Sequence, residues 1–232
     1  MHRRLEVLHK ATHDPDPAVR HAAVRSLSAV EQVMDIDRLL ALAQNGKRQA
    51  RLRAVYALGD MRSASGLEAL SDLLRTGDDQ EVRAAAASCL AQRGLEAVPH
   101  LRAGLDDAER SVAEEAMRAL GQVGGDETVE WLIDAARRRQ PLEDAAIEAL
   151  RNLGDDRAAD FLIEFVRNGT SEQQRAALQA LAGLSAEAAE EALVEAAEAE
   201  DADLRRIAVE ALGELGPPKT ETPAPAGATA YA

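Results

Sequence analysis

A leucine recurs at a nearly constant interval through most of this sequence, and that interval limits what the chain can fold into. Successive leucines lie 30 to 32 residues apart, with an alanine four residues before each one and a second leucine 11 or 12 residues after all but the last. The first leucines are Leu27, Leu58, Leu90, Leu120, Leu150, Leu181 and Leu212. The alanines are Ala23, Ala54, Ala86, Ala116, Ala146, Ala177 and Ala208, and the second leucines are Leu39, Leu70, Leu101, Leu132, Leu162 and Leu193. An alanine one helical turn before each first leucine predicts that helix backbones approach closely at these positions. The constant spacing predicts that the chain is a series of similar helical units.

The unit over residues 106–137 shows the pattern most clearly. Apolar residues at helical spacing predict a first helix, A, which ends where Gly124 and Gly125 break the run. A second apolar stripe predicts helix B, beginning near Asp126 or Glu127, because acidic residues favour a helix N-terminus. Each unit is therefore predicted to be an antiparallel helical hairpin that buries one leucine on each helix.

Fixed self-similarity at this period is typical of a solenoid, in which hairpins too small to bury their own apolar face stack on their neighbours. We predict an all-α protein, a right-handed α-solenoid of about seven hairpin repeats with a period of about 31 residues, over residues 1–216. It begins with a half-repeat that aligns with helix B, continues with six full hairpins and closes with a lone helix A from about Asp203 to Leu215. Residues 217–232 are too rich in Pro, Ala and Thr to pack, so we expect a disordered tail.

Short motifs within the units add a family resemblance. The units read D-x-x-V-R-x-x-A-x-x-A-L-G-x-Φ-G, in parts at residues 16–20, 79–83 and 211–216. This pattern resembles the short HEAT-like repeats named after the phycobilisome lyases, over roughly residues 5–216. The signatures of tetratricopeptide and ankyrin repeats are absent from the sequence. The resemblance implies the fold and a concave surface lined by the B helices, but it does not imply a particular activity.

Composition narrows the kinds of partner. The net charge is −14, and an acidic surface repels phosphate backbones, so we expect no nucleic-acid partner. The sequence has no run of about 20 apolar residues, so we expect no membrane association and a cytoplasmic protein. Its one cysteine, Cys89, falls where other units have alanine, which predicts a buried structural thiol.

Residue patterns for catalysis, metals and cofactors are lacking in the sequence. It contains no G-x-S-x-G, P-loop, G-x-G-x-x-G or H-E-x-x-H motif. In the di-iron deoxyhypusine hydroxylases, which are also HEAT-like, His-Glu dipeptides hold the metal, and here no histidine precedes a glutamate. His9 and His13 have a spacing that suits a metal on one helix, but Pro15 and Pro17 break that helix. We therefore predict no enzyme activity, no catalytic residue, no metal and no cofactor.

Arginine recurs seven residues before the first leucine of four units, at Arg20, Arg51, Arg83 and Arg205. In look-alike families this arginine joins a ladder with acidic residues of neighbouring turns. The resemblance thus implies a structural role for these arginines rather than a functional one.

The aromatic residues of the B helices are the candidate binding site. At about 100° per residue, the positions one before and two after the second leucine point away from the apolar stripe and are predicted to face solvent. These positions hold His100, Trp131 and Phe161 before the leucine, and Asp134 and Glu164 after it, with Phe165 on the flank. The alternative is that the rings only fill space between adjacent B helices. Tyr56 is predicted to lie exposed on a helix A.

From these features we predict a protein-binding scaffold or adaptor that engages a peptide or a protein surface along the concave face of its B helices. The partner-binding residues would be His100, Trp131, Asp134, Phe161, Glu164 and Phe165, with the carboxylates selecting basic residues of the partner. An accessory subunit, lyase-like or chaperone-like, that helps an enzyme handle a cofactor or substrate protein is the alternative. The sequence leaves the partner and the oligomeric state open.

Overall fold

Helices account for the regular structure of this chain. The computed structural model describes residues 2–139 and 141–215, and within these ranges there is no β-strand. The predicted tail, residues 217–232, lies outside the described residues. Thirteen α-helices follow one another within the described ranges: α1 His2–Ala11, α2 Pro17–Asn45, α3 Arg48–Asp60, α4 Ala64–Thr76, α5 Gln80–Ala91, α6 Val98–Arg102, α7 Arg110–Val123, α8 Thr128–Arg138, α9 Glu143–Leu153, α10 Ala159–Asn168, α11 Ser171–Leu181, α12 Ala186–Ala197 and α13 Ala202–Glu214. The predicted all-α fold of helical repeats is confirmed.

Helices A and B alternate as the repeat predicts. Contacts divide the chain into two compact units, Met1–Trp131 and Leu132–Ala232, with the boundary inside α8. In the first unit the A helices α3, α5 and α7 pack in succession, and the B helix α4 lies against α3 and α5. In the second unit α11 packs between α9 and α13, while the B helix α10 contacts α11 and α12. Each A helix thus rests on the A helix of the next repeat within its unit.

The repeated leucines and alanines form the core. All seven alanines are buried, which confirms the close approach of helix backbones that their spacing predicts. The first leucines from Leu58 to Leu181 are buried, as are the second leucines from Leu70 to Leu193. Leu27 and Leu39 on α2 and Leu212 on α13 are only half-buried.

The first full repeat differs from the predicted hairpin. Leu27 and Leu39 lie on one continuous helix of 29 residues, α2, instead of on separate A and B helices. The reason is visible in the sequence, because residues 28–38 contain neither glycine nor proline to end a helix. In contrast, α7 ends at Gly124, whose φ of 78° suits glycine, and Gly125 follows with a φ of 130°.

Arginines stabilise the loops between repeats. Arg51 pairs with Asp79. The Arg83 guanidinium donates two hydrogen bonds, of 2.7 and 2.9 Å, to the Asp107 carboxylate and a third, of 2.8 Å, to the Gly77 carbonyl. The predicted ladder to acidic residues of the next repeat is confirmed for these two arginines. Arg20 and Arg205 also donate to backbone carbonyls of the loop before their own helix.

Cys89 is a buried thiol, as predicted. It lies on α5, where its sulfur faces Gly59 of α3. Burial raises the pKa of the Cys89 thiol to about 11, with a smaller contribution from the charge of Asp60. The group is therefore neutral packing material at physiological pH.

Candidate functional site on the B helices

The six predicted partner-binding residues differ in exposure. Asp134 and Glu164 face solvent as predicted, whereas His100, Trp131 and Phe165 are half-buried. Phe161 is only 2% exposed, so the prediction that it faces solvent is wrong. His100 and Trp131 belong to the first compact unit, and the other four residues belong to the second.

Each ring at the position before the second leucine leans on the preceding B helix. His100 of α6 shares a hydrogen bond of 2.8 Å with Ser71 of α4, through its Nδ1 atom. The guanidinium carbon of Arg102, on α6, lies 4.7 Å from the centre of the Trp131 ring. An arginine at this distance from an aromatic face is attracted by the ring quadrupole. The half-burial of both rings follows from these contacts.

The same arrangement explains why Phe161 is buried. The guanidinium of Arg137, on α8, lies 5.9 Å from the Phe161 ring centre. On its other side, the Phe165 ring lies 5.0 Å away at an angle of 55°. Such tilted aromatic pairs are favourable beyond their buried area. Phe161 lies off the apolar stripe of α10, but Arg137 of α8 and Phe165, one turn further along α10, therefore cover its ring.

These contacts enclose a cleft between α8 and α10, which we call the phenylalanine cleft. Its volume is about 390 Å³, and it is lined by Ala136, Arg137, Glu143, Phe161, Glu164 and Phe165. Glu143 stands at the start of α9 and is half-buried. The cleft combines two aromatic rings with two carboxylates, which is a chemistry suited to a cationic group.

The predicted selector carboxylates already have partners within the chain. The Asp134 carboxylate accepts a hydrogen bond of 2.8 Å from Arg138, one turn further along α8. The Glu164 carboxylate lies 3.6 Å from the Arg137 guanidinium. Side chains of all four residues are more than half exposed, so each pair stabilises the fold by no more than about 1 kcal/mol.

Sequence reasoning missed the arginines of this surface. Arginine stands five residues after the second leucine in three units, at Arg75, Arg137 and Arg167. Arg137 pairs with Glu164 of the next B helix, and Arg167 pairs in the same way with Glu195 at 2.7 Å. Arg75 pairs within its own helix. The recurrence of arginine at one repeat position was the available signal.

Other kinds of site find no support among the described residues. Within residues 2–139 and 141–215, no cluster of three or more His, Cys, Asp or Glu side chains is arranged to hold a metal ion. His13 instead lies with its Nδ1 atom 3.0 Å from the Thr12 hydroxyl. In the same part of the chain no helix has the length and apolar character needed to cross a membrane.

The chain is similar to proteins of known repeat architecture. It is 27% identical over 179 residues to the "Uncharacterized phycocyanin operon protein Z" of the cyanobacterium Pseudanabaena tenuis, covering 72% of this chain and 88% of that protein. A chain in the complex of CpcE and CpcF of phycocyanin lyase from Nostoc sp. PCC7120 is 27% identical with a TM-score of 0.52, covering 77% of this chain and 76% of that one. A designed armadillo repeat protein crystallised with the peptide (KR)4 has a TM-score of 0.51 over 78% of this chain and 99% of that one, but at 18% identity the likeness is one of fold alone.

The family model for HEAT repeats matches three overlapping segments, residues 36–116, 98–176 and 170–224. Together the matches span most of the chain, including the helices that carry the phenylalanine cleft. The protein therefore belongs to the HEAT repeat family.

Proposed function

We propose that this protein is a protein-binding scaffold whose B helices engage a peptide or a protein surface. A helical-repeat fold is compatible with this role, because stacked repeats present extended surfaces to a partner. The observation that carries the proposal is the phenylalanine cleft, which places the Phe161 and Phe165 rings beside the exposed Glu164 carboxylate on the B helix α10. The CpcE and CpcF complex, formed by two proteins, supports a protein partner in general terms.

The energetics of such a surface favour a partner with basic residues. Binding energy in protein interfaces is usually concentrated in a few aromatic and arginine side chains. The carboxylates of Asp134 and Glu164 are held only by exposed ion pairs, which cost little to exchange for a partner's cation. The concave placement of the B helices, the cytoplasmic location and the absence of catalysis remain predictions that belong to this proposal.

Peptide selection followed by affinity measurement tests the proposal. Peptides would be selected on the purified protein from a random displayed library, and the dissociation constants of the best ligands would be measured for variants. Trp131→Ala and Phe165→Ala should weaken binding by about thirtyfold or more, since the aromatic residues on which an interface depends contribute about 2 kcal/mol or more. Tyr56→Ala is the matched control, because Tyr56 is an aromatic residue that is 52% exposed on the A helix α3.

The emission of Trp131 gives an independent readout, because it is the only tryptophan in the chain. A ligand on the B helices should shift this emission, whereas a ligand elsewhere should leave it unchanged. If affinities were the same in all three variants and the emission did not move, the B helices would not be the binding surface.

The phycocyanin-related comparisons favour a second candidate function. An accessory subunit, lyase-like or chaperone-like, would hold a cofactor or a substrate protein for an enzyme, and both relatives at 27% identity carry phycocyanin in their names. In that case the protein should form a stable complex with a second, homologous chain, and the complex should retain a coloured small molecule during purification. A scaffold would instead bind its peptide ligands without any chromophore, so visible absorption of the purified complex separates the two functions.

A further inference from the structure

We propose that the phenylalanine cleft binds an arginine side chain of the partner and that Arg137 acts as its built-in competitor. This inference rests on the proposed binding function of the B helices and specifies both the ligand chemistry and its regulation. The intramolecular arginine would occupy the guanidinium position beside Phe161 until a partner arginine displaces it.

The cleft has the composition of a guanidinium site. Phe161 is buried beside Arg137 and Phe165 is half-buried, so the two rings would offer π-faces to a guanidinium that takes the place of Arg137. The carboxylates of Glu143 and Glu164 line the same space. Among the described residues Glu143 has no ion-pair partner, so one of the two carboxylates is available without breaking any pair. The volume of about 390 Å³ lies within the range of about 300–1,000 Å³ that is usual for ligand pockets.

Arg137 shows where a guanidinium can lie in this cleft, but it is held loosely. Its carbon is 5.9 Å from the Phe161 ring centre, near the outer limit of about 6 Å for a cation–π contact. Its nitrogen is 3.6 Å from the Glu164 carboxylate, and its side chain is 61% exposed. By comparison, Arg102 approaches Trp131 to 4.7 Å, and Arg167 approaches Glu195 to 2.7 Å.

A loosely held internal cation lowers the affinity for an external one. The apparent dissociation constant equals the intrinsic constant divided by the fraction of molecules in which the cleft is open, so removing the blocking group should strengthen binding. An arginine ligand is favoured over lysine, because a planar guanidinium both stacks on aromatic rings and pairs with a carboxylate through two hydrogen bonds.

The experiment compares octa-arginine and octa-lysine, each labelled for fluorescence anisotropy, at about 0.15 M salt, where screening limits long-range attraction to about 8 Å. Arg137→Ala should tighten octa-arginine binding about threefold to fivefold, the range that an exposed ion pair can account for. Glu143→Gln should weaken it by a similar factor. Thermal unfolding of each variant would verify that the fold is intact.

Arg206→Ala is the matched control, because it removes the same charge from an equally exposed ion pair, with Glu210, on the A helix α13. Any general gain in attraction for a polycation should appear equally in this variant. We expect less than about a twofold change for Arg206→Ala and a stronger preference for arginine over lysine in Arg137→Ala. Three results would each overturn the inference: equal effects of the two arginine variants, weaker octa-arginine binding in Arg137→Ala, or no octa-arginine binding to the unmodified protein and to Arg137→Ala.

The outcomes also separate this inference from the proposed function. Selected peptides that depend on Trp131 and Phe165 but show no effect of Arg137→Ala would refute the competitor while leaving the binding surface in place. A gain for octa-arginine in Arg137→Ala, combined with selected peptides that ignore Trp131, would support the cleft and refute the wider surface.

Discussion

The contact between Gly59 and Cys89 allows a sharp test of how closely neighbouring A helices pack. A Cβ atom added at Gly59 of α3 would lie 2.9 Å from the Cys89 sulfur and 3.1 Å from the Cys89 Cβ of α5. Carbon atoms in favourable contact are about 3.5–4.0 Å apart, so Gly59→Ala must push against the facing helix. Both residues are buried, and the added methyl group therefore has no solvent to turn toward.

The size of the effect follows from opposing contributions. Overpacking a core typically costs about 1–3 kcal/mol, whereas replacing glycine by alanine in a helix recovers at most about 1 kcal/mol. We expect Gly59→Ala to lower the free energy of unfolding by about 1–2 kcal/mol. In a Cys89→Ala background the sulfur is gone and only the contact with Cβ remains. The same glycine substitution should then be close to neutral.

A double-mutant cycle measures this coupling. Chemical denaturation of the four proteins, followed by far-UV circular dichroism and by Trp131 fluorescence, would give the free energies and show whether both signals report one transition. We expect a coupling energy of about 1–2 kcal/mol, with the double variant more stable than the sum of the single changes predicts. Effects that add within about 0.5 kcal/mol would show that α3 and α5 do not meet at these residues.

Three further predictions concern stability and reactivity. Leu120→Ala should cost about 2–5 kcal/mol through lost burial and a cavity, whereas Leu27→Ala at a half-buried position should cost less; denaturation of both variants checks the order. Arg83→Gln should cost about 1.5–3 kcal/mol, because the partly buried Asp107 carboxylate loses two charge-assisted hydrogen bonds; an Arg83→Gln change below about 0.5 kcal/mol would refute this role. The pKa of Cys89 is raised from 9.0 to about 11, so the thiol ionises at lower pH in the unfolded chain than in the folded one. The contribution of the neutral buried thiol to stability should therefore be complete below pH 9.0 and be lost as the pH rises toward 11. Thiol-reagent kinetics across this range should show that Cys89 reacts only after unfolding.

The repeat register was accessible from sequence because close packing allows few residue types. Ala116 is buried where a larger side chain would hold two helices apart, Leu120 fills the core one turn later, and the same pair recurs in every unit. The continuity of α2 could also be read from the sequence, because residues 28–38 contain no glycine or proline. The repeat period alone, however, suggested a turn between Leu27 and Leu39. A repeat period fixes where equivalent residues fall, while the turn between them depends on local helix-breaking residues.

The surface was less accessible because it depends on neighbouring helices. The helical phase gives the direction in which Phe161 points from the axis of α10. It does not show that Arg137 of the preceding B helix reaches over the ring. The same limit applies to Glu164, whose exposure was predicted and whose internal partner was not. Long arginine side chains span the distance between repeats and thereby change what a surface position contacts.

The difference in burial between the outermost and the inner first leucines should set the order in which parts of the chain open. Leu27 and Leu212 are half-buried, whereas Leu120 and Leu150 are closed off from solvent. In a repeat array each unit is held mainly by its neighbours, so backbone amides of the weakly packed repeats exchange their hydrogens through low-energy local openings. Amides of α7 and α9, by contrast, should exchange only in rarer, larger openings. Glu143 of the phenylalanine cleft stands at the start of α9, so one wall of the cleft belongs to a helix that should open only rarely.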